Sequence, residues 1–404
     1  MSKLASRLAP AVIALAAALP AAGAPPAVTN PATPRDGVVV APLVEQWRAG
    51  GEDDDVFFGN IGAVRTDAEG NVLLLDSQLS EVHRISPTGD HLGVIGAEGD
   101  GPGEVRRPND MFVTADGTVC LLQGFPGRVV MLHPDGTPAG ETTYKQAADA
   151  QSQFAVMVRG LALPDGMVLA GIRMSFGGGG TSRQEYFLAR CDGAALQRSE
   201  LLMKEHTIDY SDFALDELGM DFVWSRIAVL PDGRVVVAPA RNEMSFTVHA
   251  PDGTPQLTFG RPCPPRTRTA DESAQARRII EAVGANYPTP PRHITIEDTP
   301  PAVGGLWATA DGRVWVQPGG HQTDLPDGTW VRLDVYGPDG VFRRQVALAG
   351  DHDATRDGLH ILPDGRIVVV TGSLDAFLSQ QAVAGDAEAA ETAPLEVICY
   401  APVP

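Results

Sequence analysis

The sequence predicts an all-β fold, a six-bladed β-propeller of four-stranded antiparallel blades, on three observations. The chain of 404 residues contains 44 glycines and 33 prolines, a composition that favours turns and short strands over long helices. One short unit recurs six times along the chain, and a strand near the N-terminus is available to complete the last copy. A two-sheet β-sandwich is the alternative all-β interpretation, although six in-phase hairpins are harder to explain with it.

The recurring unit is an apolar run, an Asp-Gly or Glu-Gly turn and a β-branched run, which together predict a β-hairpin. Another apolar strand, a second Gly turn and a final strand follow, so a unit carries four strands, A to D. Successive turn glycines are about 50 residues apart in the shortest units, which is the length of one propeller blade. We expect a positive φ at each of them: Gly70, Gly117, Gly166, Gly233, Gly312 and Gly365.

The sixth unit supplies strands only in residues 359–370 and 395–400, one strand short of a blade. We expect residues 43–49 to pair there as strand D, because closing the ring with an N-terminal strand removes exposed sheet edges. The propeller then spans residues 42–404. Residues 24–41, which precede it, are expected to form a flexible N-terminal segment.

Residues 1–23 have the layout of a secretory signal peptide. Lys3 and Arg7 form a positive region, residues 8–19 are apolar, and small residues follow at a predicted cleavage site after Gly23. The apolar run is too short to span a bilayer, so no transmembrane segment is expected after cleavage. We predict a periplasmic or secreted protein, and the absence of a nearby cysteine argues against a lipid anchor.

Charge and cysteine content restrict the function classes further. The formal net charge of −20 leaves no basic surface for a phosphate backbone, so nucleic acid is not an expected partner. Cys120 and Cys399 lie in apolar strand-like runs and are expected to be buried, whereas the disulfide status of Cys191 and Cys263 stays open. No C-x-x-C motif is present, so a structural zinc site is not expected.

Residues 261–302 form an insertion between blades four and five that predicts one amphipathic helix. Thr269 and Glu272 have capping-box spacing, and one apolar stripe follows them, at Ala276, Ile279, Ile280 and Val283. The helix could act as a structural plug or as a lid over a ligand. If it closes the channel, a scaffold without a pocket is a further alternative.

The segment 96–116 reads GAEGDGPGEVRRPNDMFVTAD and is followed by the strand-like GTVCLL. It resembles the NHL-repeat and related six-bladed β-propellers of exported bacterial proteins. The matching positions are a G-x-G-P-G-E linker and a proline before strand A, namely Gly99, Gly101, Pro102, Gly103, Glu104 and Pro108. The resemblance implies the same fold for most of the chain. It implies little about function, because propellers include binding proteins, hydrolases, lyases and scaffolds.

Polar side chains near the start of the A strands are expected to converge at the central channel. Such a ring is a natural site for a small molecule or a peptide terminus, and an internal salt-bridge network is the structural alternative. We predict an exported, non-catalytic module that binds a protein, peptide or small-molecule ligand at the face of the D-to-A connections. The expected ligand-binding residues are Asn60, Asn109, Asp110, Arg159, Arg226, Asp357 and His360.

The D-to-A connections also carry many carboxylates, and those entering blade six suggest a cation site. Asp351, Asp353 and Asp357 are close in sequence, and Ca²⁺ and similar hard cations prefer several carboxylate and carbonyl oxygens. A divalent cation is therefore the candidate cofactor. The alternative is a solvated acidic rim paired with local arginines, with no cofactor.

Two dipeptides, Asn109-Asp110 and Asp357-Gly358, resemble those that open inner strands in gluconolactonase-type propellers. That resemblance implies Asn109 and Asp357 as metal ligands, and a divalent-metal-dependent lactone hydrolase or lyase as the alternative function. The sequence contains no G-x-S-x-G or H-E-x-x-H motif, so no catalytic residue is predicted from motifs.

Overall fold

The computed structural model describes residues 24–52, 54–146, 154–221, 223–287, 289–322, 324–381 and 394–403. The predicted signal peptide at 1–23 lies outside the described residues, so its assignment stays a prediction. Within these ranges, no helix is both long and apolar enough to cross a membrane.

Six sheets with four antiparallel strands each form the blades in these ranges, two of them extended by a fifth strand, and they confirm the predicted six-bladed propeller. Three strands precede the first complete blade: β1 (Ala27–Thr29), β2 (Val38–Pro42) and β3 (Glu45–Gly50). Blades one and two are β4 (Ile61–Thr66), β5 (Val72–Asp76), β6 (Glu81–Ile85) and β7 (His91–Ile95), then β8 (Pro108–Val113), β9 (Val119–Gln123), β10 (Arg128–Leu132) and β11 (Pro138–Thr143).

Blades three to six follow in chain order. One helix and a short strand pair lie between blades, and a second helix lies within blade six. Blade three is β12 (Phe154–Leu163), β13 (Gly166–Phe176), β14 (Thr181–Cys191) and β15 (Gln197–Asp209), followed by β16 (Ala214–Asp216). Blade four is β17 (Ile227–Val229), β18 (Val235–Val237), β19 (Ser245–His249) and β20 (Pro255–Gly260), followed by α1 (Ala270–Gly284) and β21 (His293–Thr295). Blade five is β22 (Val303–Ala308), β23 (Val314–Pro318), β24 (Thr329–Tyr336) and β25 (Phe342–Ala349). Blade six contains β26 (Gly358–Ile361), β27 (Ile367–Val370), helix α2 (Ser373–Gln381) and β28 (Glu396–Tyr400).

The N-terminal strand closes the ring as predicted. Strand β3 pairs antiparallel with β28, with Trp47 opposite Cys399 and Ala49 opposite Val397. The Trp47 side chain is buried between blades six and one and lies against Gly89, where an added Cβ would come within 2.5 Å of it. The closing strand therefore contributes to the interface between two blades as well as to one sheet.

Residues 24–41 differ from the expected flexible segment because they add a fifth, parallel strand to each of two blades. Strand β1 pairs with β20 and β2 pairs with β25. Between them, the buried Asn30 donates to the carbonyls of Gly260 and Gly340 and accepts from the Phe342 amide. This segment satisfies outer-strand backbone groups that would otherwise be sheet edges, a long-range pairing that local composition does not reveal.

The hairpin turns follow the predicted glycine pattern with one correction. Gly70, whose φ is 81°, and its counterparts in four other blades adopt positive φ, but Gly166 does not. Gly166 instead begins β13, opposite Leu163, after a two-residue turn. An added Cβ there would lie 2.2 Å from the Cys191 carbonyl oxygen, so close approach of the backbone, rather than φ, requires glycine at this position.

The core lies between the blades, and alternate residues of a strand serve opposite neighbours. In β5, Leu73 packs in a cluster with blade two, whereas Leu74 packs in a cluster with blade six. Cys120 and Cys399 are buried, as predicted, and all four cysteines are unpaired. Because both faces of a blade are covered, its strands are apolar almost continuously.

Insertions on the side of the D-to-A and B-to-C connections form what we call the cap: residues 210–221, the described residues of 261–302, and α2. Helix α1 confirms the predicted helical insertion, and its Thr269–Glu272 capping box is present. Strands β16 and β21 pair in parallel, and Asn286 donates to Gln381 at the end of α2, at 2.7 Å. Helix α2 lies in the B-to-C hairpin of blade six, and residues 382–393 of that hairpin lie outside the described residues.

Candidate functional site: the central channel

All six innermost strands line one central cavity of about 560 Å³. These strands are β4, β8, β12, β17, β22 and β26, so each blade contributes residues to the wall. The lining is largely apolar, and charged or polar side chains converge from blades one, two, three and six. A pocket of this size with few polar groups has the composition of a small-molecule site.

A β-bulge near the start of the inner strand recurs in blades one, two, three and five. At each bulge the pairing between strands A and B skips one residue, and the skipped residue lines the channel. These residues are Gly62, Asn109, Val158 and Gly304. A bulge leaves its extra residue out of the ladder and redirects its side chain, which explains why a polar Asn109 is tolerated in an inner strand.

The structure brings together four of the seven residues predicted to bind a ligand: Asn109, Asp110, Arg159 and His360 all line the channel. The other three do not. The Asn60 amide donates to Gln380 of α2 and to Ser77, and Asp357 is part of a turn in the connection to blade six. Arg226 is fully buried in an ion pair with Asp221 and donates to the Val303 carbonyl, so its role is to hold the cap to blade five.

Asp110 joins three neighbouring elements through its carboxylate. One oxygen accepts from the Arg65 guanidinium and from the Met111 amide, both at 2.8 Å, and the other accepts from the Gly160 amide at 3.0 Å. Asp110 is 5% exposed. These bonds use its acceptor capacity within the protein, so Asp110 organises the channel wall.

Arg65 is a channel residue that the sequence interpretation missed. It lies near the end of β4 and lines the cavity, whereas the predicted residues were sought at strand starts. The available signal was a charged residue inside an apolar inner strand, where an unpaired charge would be costly. Its ion pair with Asp110 removes that cost.

Arg159 is the second guanidinium of the channel. Among the described residues its guanidinium donates to the Trp224 carbonyl at 2.7 Å, and a guanidinium has five N–H donors. Burial lowers the pKa of Arg159 to about 10, with Asp110 opposing the change and Arg65 adding to it. The group remains charged at neutral pH and can form a charge-assisted hydrogen bond to a ligand.

His360 is the third titratable group of the channel, and it is neutral at physiological pH. Burial lowers its pKa to about 3, and the guanidinium charges of Arg65 and Arg159 lower it further. A neutral imidazole offers one donor and one acceptor. The channel therefore contains two guanidinium charges, one carboxylate that is already bonded, and a neutral histidine.

The predicted cation site at Asp351, Asp353 and Asp357 does not form. Among the described residues, no group of three or more His, Cys, Asp or Glu side chains could hold a metal ion. Asp351 is exposed. Asp353 accepts from the backbone amide and hydroxyl of Thr355. Asp357 accepts from the amides of Asp353 and Gly372, so these carboxylates stabilise a turn.

Asp357 is also separated from the other residue that the gluconolactonase-like interpretation needs. It does not line the channel, whereas Asn109 does. Burial would raise the pKa of Asp357, but His352 and the backbone amides hold it below its usual value. The Asn109 amide donates to the Met157 carbonyl at 2.9 Å. The residues present do not fit a shared metal-ligand set.

We expect His360→Asn to reduce the amount by which the free energy of unfolding falls between pH 7 and pH 5. The unfolded chain binds a proton at the ordinary histidine pKa of about 6.5, but the folded protein resists protonation down to about pH 3. His360 therefore costs no free energy of unfolding above pH 6.5. Below that pH, it lowers the free energy of unfolding by up to about 1.4 kcal/mol per pH unit. Urea unfolding at pH 7.0, 6.0 and 5.0 measures this slope.

The matched control for that measurement is His133→Asn, since His133 is exposed. Subtracting the two profiles removes the contributions of the other histidines and leaves the difference between His360 and an exposed histidine. Equal slopes for both variants would contradict the assigned state of His360.

Several solved structures of other proteins are similar to this chain at low sequence identity. A DUF4221 family member from Bacteroides vulgatus is 9% identical, with a TM-score of 0.48 over 89% of this chain and 97% of that one. A gluconolactonase from Xanthomonas campestris is 11% identical (TM-score 0.40; 88% and 97% covered). Regucalcin, a calcium-binding protein from Agrobacterium tumefaciens, is 12% identical (TM-score 0.41; 90% and 96% covered). At these identities and TM-scores, nothing about the function of this chain follows from the similarities. No protein-family model and no curated protein matches the sequence.

Proposed function

We propose that this propeller is an exported, non-catalytic binding module whose central channel binds a small organic anion. The observation that carries the proposal is the pair of guanidinium groups, Arg65 and Arg159, in one cavity with the neutral His360. Arg65 is neutralised by Asp110, so the charge of Arg159 is left for a ligand. This charge lies inside a protein whose net charge is −20.

The chemistry of the wall favours an organic carboxylate. A guanidinium matches a carboxylate through two parallel hydrogen bonds, and most of the remaining lining is apolar and includes Trp224 and Trp307. An added Cβ at Gly305 would lie 2.4 Å from the Trp307 ring, so that ring packs on the strand backbone beside the cavity. The wall therefore combines one strong anion contact with apolar surface.

The same proposal includes that the protein is exported and that its blades are of the NHL-repeat type. Their support is in the sequence, in the signal-like residues 1–23 and the linker segment 96–116. A metal-dependent lactone hydrolase or lyase was the alternative function. We do not adopt it, because Asp357 lies outside the channel that contains Asn109.

A thermal-shift comparison of benzoate with benzamide tests the channel proposal. The two compounds share a ring and differ in charge, so we expect benzoate to raise the melting temperature at millimolar concentrations and benzamide to leave it unchanged. Saturation at 100 times the Kd corresponds to about 2.7 kcal/mol of stabilisation. The comparison is repeated with succinate and succinamide. If no carboxylate produced a larger shift than its neutral amide, the proposal would be overturned.

A further inference from the structure

A second cavity, of about 320 Å³, lies on the outer strand β15 of blade three, apart from the central channel. Its lining includes Lys204 and His206 from β15, and Asp216 and Asp221 from the cap segment 210–221. Arg241 completes the charged lining. These residues play no part in the channel.

Lysine is rare in this chain, and one of its lysines, Lys204, lines this cavity. Of 31 Lys and Arg residues, only Lys3, Lys145 and Lys204 are lysines. Lys145 is exposed at the end of blade two, whereas Lys204 is half-buried. Arginine serves nearly every ion pair of the fold, but it cannot become a neutral nucleophile in a protein.

Lys204 and His206 point to the same side of β15, because side chains two residues apart share a face of a strand. The segment 216–221 lies across them. Lys204 Nζ donates to the Leu218 carbonyl and lies 5.1 Å from the centre of the Tyr186 ring. The His206 ring packs on Gly219, where an added Cβ would come within 2.5 Å. Its Nε2 is 3.8 Å from Asp216 Oδ2.

Other bonds hold the segment in place over this pair. The Tyr186 hydroxyl donates to the Gly219 carbonyl at 2.9 Å, and the Gly219 amide donates to Asp216. Tyr186 itself is buried, and burial raises its pKa, so the phenol stays a neutral donor. Strand β15 therefore places the amine and the imidazole in one cavity, and the segment 216–221 lies over both of them.

The charges around Lys204 come from several elements. Burial lowers its pKa to about 8; Asp221 and Asp216 oppose that change, while Arg226 and Arg241 reinforce it. Burial likewise lowers the pKa of His206, although Asp216 opposes the change. An amine with such a pKa has a neutral fraction of about one tenth at pH 7, far more than an ordinary lysine.

We propose that Lys204 is a covalent binding site for small aldehydes, which it captures as an imine with His206 as the acid–base partner. The amine nitrogen attacks the carbonyl carbon, so a C–N bond forms, the C=O π bond breaks, and an ammonium nitrogen and an alkoxide result. The neutral His206 takes a proton from that nitrogen and passes it to the oxygen, which gives a carbinolamine. In the dehydration step the C–O bond breaks as the hydroxyl leaves with a proton relayed by the imidazole, and the nitrogen releases its remaining N–H proton back to the imidazole, so that both amine protons end in the water. The products are the imine and one water molecule, and no oxidant or reductant is required.

Trapping with glycolaldehyde and sodium cyanoborohydride tests this site in the full protein. The reductant fixes each imine as a stable amine, and peptide mass spectrometry measures modification at Lys204 and Lys145 in the same molecule. We expect Lys204 to react about 10-fold or more faster than Lys145 at pH 7, with a half-maximal rate near pH 8. A rate at Lys204 equal to or below that at Lys145 would overturn the proposal.

Two variants separate the roles of the amine and the imidazole. Lys204→Arg should abolish the fast phase, whereas Lys145→Arg should leave it intact. His206→Asn should slow trapping at Lys204 several-fold and keep the pH midpoint, since the asparagine fills the space without carrying the proton. A trapping rate unaffected by His206→Asn would remove the imidazole from the proposal. The wild-type comparison between the two lysines does not depend on any variant folding.

Discussion

Replacing Trp47 with alanine is expected to lower the free energy of unfolding by about 3–5 kcal/mol, the usual cost of removing a large buried aromatic side chain. Trp47 is 5% exposed and packs in one cluster with Leu74 of blade one and Val370 of blade six. Its removal opens a cavity where the ring of blades closes. Urea unfolding followed by circular dichroism measures the loss, and an unchanged m-value would show that the transition remains cooperative.

Trp47→Phe is the matched variant for that experiment. The buried indole Nε1 has no hydrogen-bond partner among the described residues, so phenylalanine removes no hydrogen bond seen there and keeps much of the apolar contact. We expect a loss of less than about 2 kcal/mol. Val44→Ala, at a position that is 60% exposed, should change stability by no more than about 0.5 kcal/mol. A loss for Trp47→Ala as small as that of Val44→Ala would mean that the closing strand is not held through this contact.

The fold could be predicted because short sequence patterns, each within a few residues, specify its hairpins. An Asp-Gly tip such as Asp116–Gly117 specifies a hairpin within a few residues, and its recurrence counts the blades. The same local information fails for Gly166, where the two-residue turn leaves glycine paired in a strand. It fails again for β1 and β2, which are held by β20 and β25 from distant parts of the chain. Parallel edge strands have no signature of their own, because the partner decides where they pair.

The channel was predictable only in part, because register decides which inner-strand residues face it. Asn109 was found at a strand start, and a bulge places it in the channel. Asn60 also precedes a strand, but it is held by Gln380 of a helix that the sequence did not predict. The sequence interpretation missed Arg65 because it considered residues at strand starts, and Arg65 lies beyond the bulge of its strand. A bulge shifts the register by one residue. Such a shift is enough to turn a side chain from the channel toward the interface between two blades.

Replacing Arg159 with glutamine is expected to weaken binding of benzoate about 10- to 100-fold and leave benzamide unaffected. Hydrogen bonds to charged groups contribute about 1.5–3 kcal/mol, and Arg159 is the channel guanidinium that Asp110 does not neutralise directly. Glutamine keeps an amide that can still donate to the Trp224 carbonyl, the bond that Arg159 makes at 2.7 Å. Isothermal titration measures the change in affinity, and Arg198→Gln, at an exposed position, is the matched control. Equal affinities for the two variants would contradict the role given to Arg159.

A second readout of the same variant does not depend on the ligand. The charge of Arg159 lowers the pKa of His360, together with burial and Arg65, so Arg159→Gln should raise that pKa. Nuclear magnetic resonance titration of His360 between pH 3 and 7 detects the shift. A raised pKa with unchanged benzoate affinity would support the placement of Arg159 near His360 in the channel. It would contradict the proposal that the channel binds an anion. An unchanged pKa would show instead that Arg159 and His360 do not share the cavity, and the basis for proposing an anion there would be lost.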